Sequence, residues 1–186
     1  MIDALGLPQE PGEFPERSAT PVMLVAYDPR WPRLFEHEKR AILEALPPCA
    51  VRVEHVGSTA VPGLVAKPVL DMAVALDDIE HAASCIEPLA ALGYIYVPEF
   101  EAELPNRRYF RKDARPLHRT HHIHMYQQDH PEFVDFLVFR DLLRADAAIR
   151  SAYEQLKFEL AATHGRAEYT KAKGPFIKDA LTRARR

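Results

Sequence analysis

The stretch Glu54-His55-Val56-Gly57-Ser58-Thr59-Ala60-Val61-Pro62-Gly63-Leu64-Val65-Ala66-Lys67-Pro68-Val69-Leu70-Asp71-Met72-Ala73-Val74 decides the fold. Around its start, Val51, Val53 and His55 alternate with Arg52, Glu54 and Val56, which predicts a strand with one face turned inward. Residues 69–76 are almost continuously apolar around one acid, Asp71, and read as a strand covered on both faces. Between the two, Gly57, Pro62, Gly63 and Pro68 make a loop. A strand that runs into Gly-Ser, turns, and returns carrying an acid places backbone N–H groups and a hydroxyl near a carboxylate. Phosphate oxygens accept from the first, and a divalent ion takes the second. Gly-Ser also occurs in ordinary turns, so the same residues equally describe a tight loop around a satisfied buried acid.

Upstream, residues 22–26 form a short apolar run suited to a strand, and Asp28-Pro29 punctuates the chain ahead of an amphipathic helix. Leu34, Phe35, Ala41, Ile42 and Ala45 make its stripe, Glu38 interrupts it, and Pro47-Pro48 ends it. Residues 1–20 place Pro8, Pro11 and Pro15 among Gly and Glu without periodicity, which predicts a flexible N-terminal arm ahead of a single folded domain over 21–186. Downstream, Asp77-Asp78 introduces a second helix with Ile79, Ala83, Ile86 and Ala90 on one face, weakened by Pro88 and capped by Gly93. Residues 94–97, 107–111 and 122–126 have the composition of short strands. Pro131 suits a first helical position, and Phe133, Phe136, Leu137 and Arg140 follow at helix spacing. Ile149, Tyr153, Leu156 and Leu160 mark another helix, and residues 171–181 a last short one. This order predicts an α/β or α+β fold, a mixed β-sheet with helices packed against it.

With 186 residues the chain is sized for one domain with a real core, and its 47% hydrophobic and 27% charged residues are ordinary globular usage. The formal net charge of -3 gives no global pull toward nucleic acid, so any anion site must come from a local cluster. Cys49 and Cys85 have no further thiol at ligand spacing, which argues against structural zinc. No basic leader precedes an apolar run, and no stretch is long and apolar enough for a membrane span, so a cytoplasmic location without membrane contact is expected. P-loop, dinucleotide-fingerprint and nucleophile-elbow patterns are all missing from the sequence, which sets aside P-loop kinases, Rossmann dehydrogenases and α/β-hydrolases.

Local clusters do exist. His122 and His124 stand two apart, so on a strand both rings project from one face while His121 points the other way. Imidazoles so placed can hydrogen-bond phosphate, act as acid or base near neutral pH, or ligate a transition metal; one surface ring and one half-buried, hydrogen-bonded ring is the plainer alternative. Arg107, Arg108, Arg111, Lys112, Arg115 and Arg119 form the densest basic run, opposed only by Asp113. On a strand, Tyr109 and Arg111 share one face and Arg108 and Phe110 the other. A polyphosphate could dock there, or the charges could merely solvate a hairpin. Lys67 and Lys173 are further candidates for neutralising phosphate, against the commoner fate of a long surface lysine. Trp31 and Tyr27 read as core residues flanking the first helix.

The string HVGSTAVPGLVAKPVLD at 55–71 resembles the signature of the GrpB family. The resemblance continues through residues 27–32, Arg108-Tyr109-Phe110-Arg111, His122-Ile123-His124, residues 139–144 and residues 169–177, and so covers 22–181. That family is in turn similar to the nucleotidyltransferase superfamily of DNA polymerase beta and the aminoglycoside nucleotidyltransferases. The resemblance implies a nucleotidyltransferase-like fold in which Gly57 and Ser58 hold a nucleoside triphosphate and Asp71 is the first metal-binding acid, for Mg2+. Ala73 stands where the second acid of such a pair is expected. Two-metal phosphoryl transfer needs several carboxylates, and one aspartate is a poor clamp for two ions. Two functions follow as expectations. In one, a nucleotide- or phosphate-binding protein transfers a nucleotide to an acceptor, with Asp71, His122 and His124 at the reacting centre and Gly57, Ser58, Lys67, Arg111 and Lys173 on the phosphates. In the other, a non-catalytic module uses the same cleft for a ligand or a protein partner, an assisting role implied by GrpB-like domains fused behind dephospho-CoA kinase. Nucleic-acid binding through residues 107–119 finds little support in the acidic balance.

Overall fold

A computed structural model describes residues 21–115 and 118–185. The expected N-terminal arm, residues 1–20, lies outside the described residues. Asp28 accepts from the backbone N–H of Arg30 at 2.8 Å and opens α1 (Trp31–Ala45), with Pro32 in its first turn. Trp31, Phe35, Glu38 and Ile42 are its buried residues, a stripe of helical period. Glu38, the polar break in that stripe, is an anchor: it accepts from the Tyr94 hydroxyl at 2.9 Å and from Lys112 Nζ at 2.8 Å.

The chain then forms β1 (Ala50–Val56), a short 3-10 turn (Ser58–Ala60), β2 (Leu70–Leu76), a 3-10 run (Ile79–Cys85) that leads into α2 (Ile86–Ala91), β3 (Tyr94–Tyr96), β4 (Arg108–Arg115) and β5 (His118–Gln127). Four helices follow, α3 (Pro131–Ala145), α4 (Ala147–Thr163), α5 (Arg166–Ala172) and α6 (Gly174–Ala184). The five strands make one mixed sheet in the order β1-β2-β5-β4-β3, as the sequence predicts in kind. Its pairs are antiparallel except β2 with β5, where Asp71 stands opposite His122 and Ala73 opposite His124. A parallel pair needs a long crossover, here supplied by everything between residues 76 and 118.

The sheet's two faces have different work. On one, Val53, Met72, Val74, Leu76, Phe110, Ile123 and Met125 pack with Phe35 and Ile42 of α1 and Leu89 of α2. On the other, Val56, Ala73, Ala75 and Tyr126 pack with Phe133 and Phe136 of α3. The loop between β1 and β2 is tied down from several sides. His55 stacks on Phe35, with ring centroids 4.7 Å apart, and its Nε2 meets Thr59 Oγ1 at 3.0 Å. Because the Thr59 hydroxyl donates to the Val69 carbonyl at 3.2 Å, His55 is the donor of that pair and carries its proton on Nε2. From α3, Arg144 Nε donates to the Ala60 carbonyl at 2.9 Å, and from α4 Glu154 accepts from the Val65 N–H at 3.0 Å.

Several elements depart from the sequence reading. Residues 22–26 make no strand, only the bridge Val25–Ala66, because the partner segment is closed off by Gly63 and Pro68 before a ladder can extend. The second helix is divided, and its 3-10 half buries Ala82 and Cys85 where an α-helix would have buried Ala83. The strands β4 and β5 run longer than expected and pair as one hairpin, with irregularities at Lys112/Asp113 and Asp113/Arg115. The last helix is two, α5 and α6, separated at Lys173 just before Pro175. Among the described residues, no helix is long and apolar enough to cross a membrane.

Candidate functional site

Strand periodicity places Asp71, His122, His124, Tyr109 and Arg111 on the face of the sheet that α3 covers only in part. His122 Nδ1 lies 2.9 Å from Asp71 Oδ1 and His124 Nε2 lies 3.8 Å from the same oxygen. The Tyr109 ring packs against both imidazoles, at 5.5 Å and 5.3 Å between centroids. Burial pushes the Asp71 carboxyl up, but the hydrogen bond from His122 and the nearby His124 imidazole outweigh it and hold the acid below the usual carboxylate range. Burial lowers His124 against the pull of Asp71. The Asp71 side chain is 30% exposed, so solvent reaches the centre of the cluster.

The glycine-serine turn closes over this group. Gly57 sits at φ +69°, and a Cβ there would stand 2.6 Å from Asp71 Oδ2, so the turn's backbone lies against the carboxylate. Ser58 Oγ accepts from Lys157 Nζ at 3.3 Å. Lys157 reaches in from α4, is 1% exposed, and gives its other described hydrogen bond to the Val65 carbonyl. Burial, and then the charge of Lys173, push its pKa down to about 7.

A wall of cations completes the site. Lys67 and Lys173 stand over the same Tyr169 ring, at 5.4 Å and 4.6 Å. Burial and then the neighbouring Lys67 push Lys173 down to about 8, with Asp71 opposing. Lys67 is lowered by burial and, against the pull of Asp71, by Arg166 and Arg119. Arg166 of α5 is lowered by burial and by Arg119, with Asp113 opposing. Arg107 lies over the Tyr109 ring at 5.3 Å. Arg111 has an ionic neighbour in Asp113 at 3.7 Å, yet its Nε and Nη1 have no hydrogen-bond partner among the described residues. The same holds for buried Nε of Arg107 and Arg166, His122 Nε2 and His124 Nδ1.

All eight sequence candidates, Asp71, His122, His124, Gly57, Ser58, Lys67, Arg111 and Lys173, therefore lie in one cluster on this face of the sheet. His121 points away, as expected, toward Tyr94 at 6.3 Å, and Trp31 is buried with Ala66 and Leu70. Lys157 was not among the candidates, although its place four residues after Tyr153 on the apolar stripe of α4 is a signal. Tyr169 opens the 169–177 segment of the resemblance, whereas Arg166 lies outside every motif of the sequence and reaches the site through the packing of α5. A hollow of about 460 Å3 beside Pro62, Arg144 and Arg150 contains none of the eight.

Mg2+ does not fit this set. Octahedral Mg2+ takes oxygen ligands at short, strict distances, whereas the groups beside Asp71 Oδ1 are imidazole nitrogens, His122 Nδ1 at 2.9 Å and His124 Nε2 at 3.8 Å. Ala73 is fully buried under Phe133 and Phe136. Of the acids that could stand in for a second carboxylate, Glu54 is bound by Arg140 at 2.7 Å and Arg52 at 3.1 Å, and Glu101 by Tyr96 and Arg108. Glu99 and Glu103 are exposed. The trio Asp71, His122 and His124 has ligand atoms within 4.8 Å of one another, a proximity that the Asp71–His122 hydrogen bond at 2.9 Å already uses.

Residues 21–183 match the family described as GrpB protein, and the chain belongs to the GrpB family. It is 36% identical over 175 residues to the UPF0157 protein YqkA of Bacillus subtilis, covering 93% of this chain and 49% of that protein, so it spans about half the length of that relative. The solved structure of the conserved protein GrpB from Enterococcus faecalis is similar, with a TM-score of 0.78 and 38% identity over 87% of this chain and 96% of that one. A Dephospho-CoA kinase of Mycolicibacterium paratuberculosis is 30% identical over 187 residues, matching 88% of this chain and 46% of that protein.

Proposed function

We propose that the cleft binds the phosphate groups of a small molecule, a nucleotide or another phosphate ester, on a scaffold related to the nucleotidyltransferases. The observation that carries this is a crowd of cations that outnumbers the two acids among them, Asp71 and Asp113. Lys67, Lys173, Lys157, Arg166 and Arg111 depress one another or lack acceptors in a protein of net charge -3. Buried cations without anionic partners are costly, and a ligand that brings several oxygens offsets that cost. Guanidinium forks and lysines suit phosphate, as a planar clamp and as point charges. His122 and His124, aligned by Asp71, would orient the same oxygens, and nucleotidyl transfer to an acceptor hydroxyl is the catalytic form of this reading.

Calorimetric titration and thermal shift with ATP, CTP, GTP, UTP and pyrophosphate test it. Binding is expected to weaken about tenfold in Lys173→Ala and in Arg111→Ala; no binding of any of these anions rejects it. The second reading, a non-catalytic assisting module, is favoured by the match to less than half of a Dephospho-CoA kinase. It expects binding with no pyrophosphate released from any triphosphate, whatever the acceptor.

A further inference from the structure

We infer that the cleft takes its phosphorylated ligand as the bare oligoanion, without a divalent metal, Lys67, Lys173, Arg111 and Arg166 standing where metal charge would otherwise serve. This rests on the reading that the cleft binds phosphate, and it goes further by fixing the chemical form of the ligand. A metal-chelated phosphate would have to bring its ion among cations that already crowd one another: Lys67 and Lys173 share one aromatic ring, and the charges of Arg166 and Arg119 bear on Lys67. The donors left without partners on Arg107, Arg111 and Arg166 are guanidinium N–H groups, which bond oxygens of an anion and never a metal. Asp71, the carboxylate at the centre of the cluster, is hydrogen-bonded to His122 through Oδ1, and Asp113 at its edge is taken up by Arg111 at 3.7 Å. Asp71 thus works as an orienting partner for the imidazoles, and its own charge opposes the ligand's.

That last point gives a test of opposite sign. If Asp71 holds a metal for the ligand, Asp71→Asn abolishes binding. If the ligand enters bare, Asp71→Asn keeps a shape able to accept from His122, removes a repelling charge, and tightens binding. Pyrophosphate and ATP are titrated into the full chain in EDTA, and again with Mg2+, Mn2+ or Zn2+ in place of EDTA, for the wild type and for Asp71→Asn, with circular dichroism confirming the fold of the variant. The expected result is wild-type binding in EDTA at least as tight as with any of the ions, and pyrophosphate binding tightened about threefold to tenfold in Asp71→Asn. Binding that appears only with a divalent ion, or is lost in Asp71→Asn, overturns the inference while the phosphate reading stands. Binding under no condition overturns both. If Asp71→Asn does not fold, the wild-type comparison between EDTA and the ions decides alone.

Discussion

Gly57 is the residue on which the site's shape turns. Its φ of +69° and ψ of -170° lie in a region that only glycine occupies readily. A side chain there would meet Asp71 at Oδ2 (2.6 Å) and at Cβ (2.9 Å), so rotating the carboxylate cannot make room. Gly57→Ala is expected to cost about 2–4 kcal/mol in urea denaturation, combining backbone strain with overpacking. A loss under about 0.5 kcal/mol would show that the turn and the carboxylate move apart freely. The sequence singles out Gly57, Ser58 and Asp71 as a group because glycine followed by serine between two strands has a recognisable chemistry. It does not show that the glycine is required by the aspartate, since that contact spans a loop whose course is set by His55, Thr59, Arg144 and Glu154. Lys157 escaped notice for a related reason: a lysine on an apolar stripe reads as a helix edge until the helix is docked.

Among the elements, the helices with strong signals, α1, α3 and α4, lie where apolar period and Pro or Asp at their starts put them. The segment after β2 shows where such reasoning gives way. A 3-10 winding repeats every three residues, so the inward positions become Ala82 and Cys85, followed by Leu89 in α2, and the helical assignment of Ala83 is displaced by one residue. Ala82→Lys is therefore expected to destabilise by about 2–4 kcal/mol, while Ala83→Lys changes stability by less than about 0.5 kcal/mol. Equal effects at the two positions in thermal or urea unfolding would mean that the segment is an α-helix in solution. The alternation of residues 107–111 and 122–126 sorted their side chains correctly by face. It missed the full length of β4 and β5, because charged residues such as Lys112, Asp113 and Arg119 hide the strands' paired ends.

For the whole molecule, acid response follows from buried imidazoles. His55, which faces Phe35, Thr59, Asp71, Arg140 and Arg144, is held to about 4, first by burial and, against Asp71, by the two arginines. His121, half-buried near Glu38 and Lys112, is likewise held to about 4, first by loss of solvent around the ring. Between pH 6.5 and 4 the unfolded chain binds protons that these rings refuse, so stability falls as pH drops through that window and is unaffected by them above it. Each contributes a slope of up to about 1.4 kcal/mol per pH unit. His55→Gln should remove one such increment from urea-unfolding free energies measured from pH 7 to pH 4; an unchanged slope would mean that the His55 ring titrates normally. The sheet order was beyond the sequence, since Asp71 and His122 lie 51 residues apart and no local pattern announces a parallel pair. That pair is also a joint. One antiparallel unit, β1 with β2, supplies the carboxylate; another, β4 with β5, supplies the imidazoles and Arg111. On the proposed function, an anion bridging them would act as a rivet between two halves of the sheet, and occupancy at a hundred times the dissociation constant would add about 2.7 kcal/mol to the unfolding free energy.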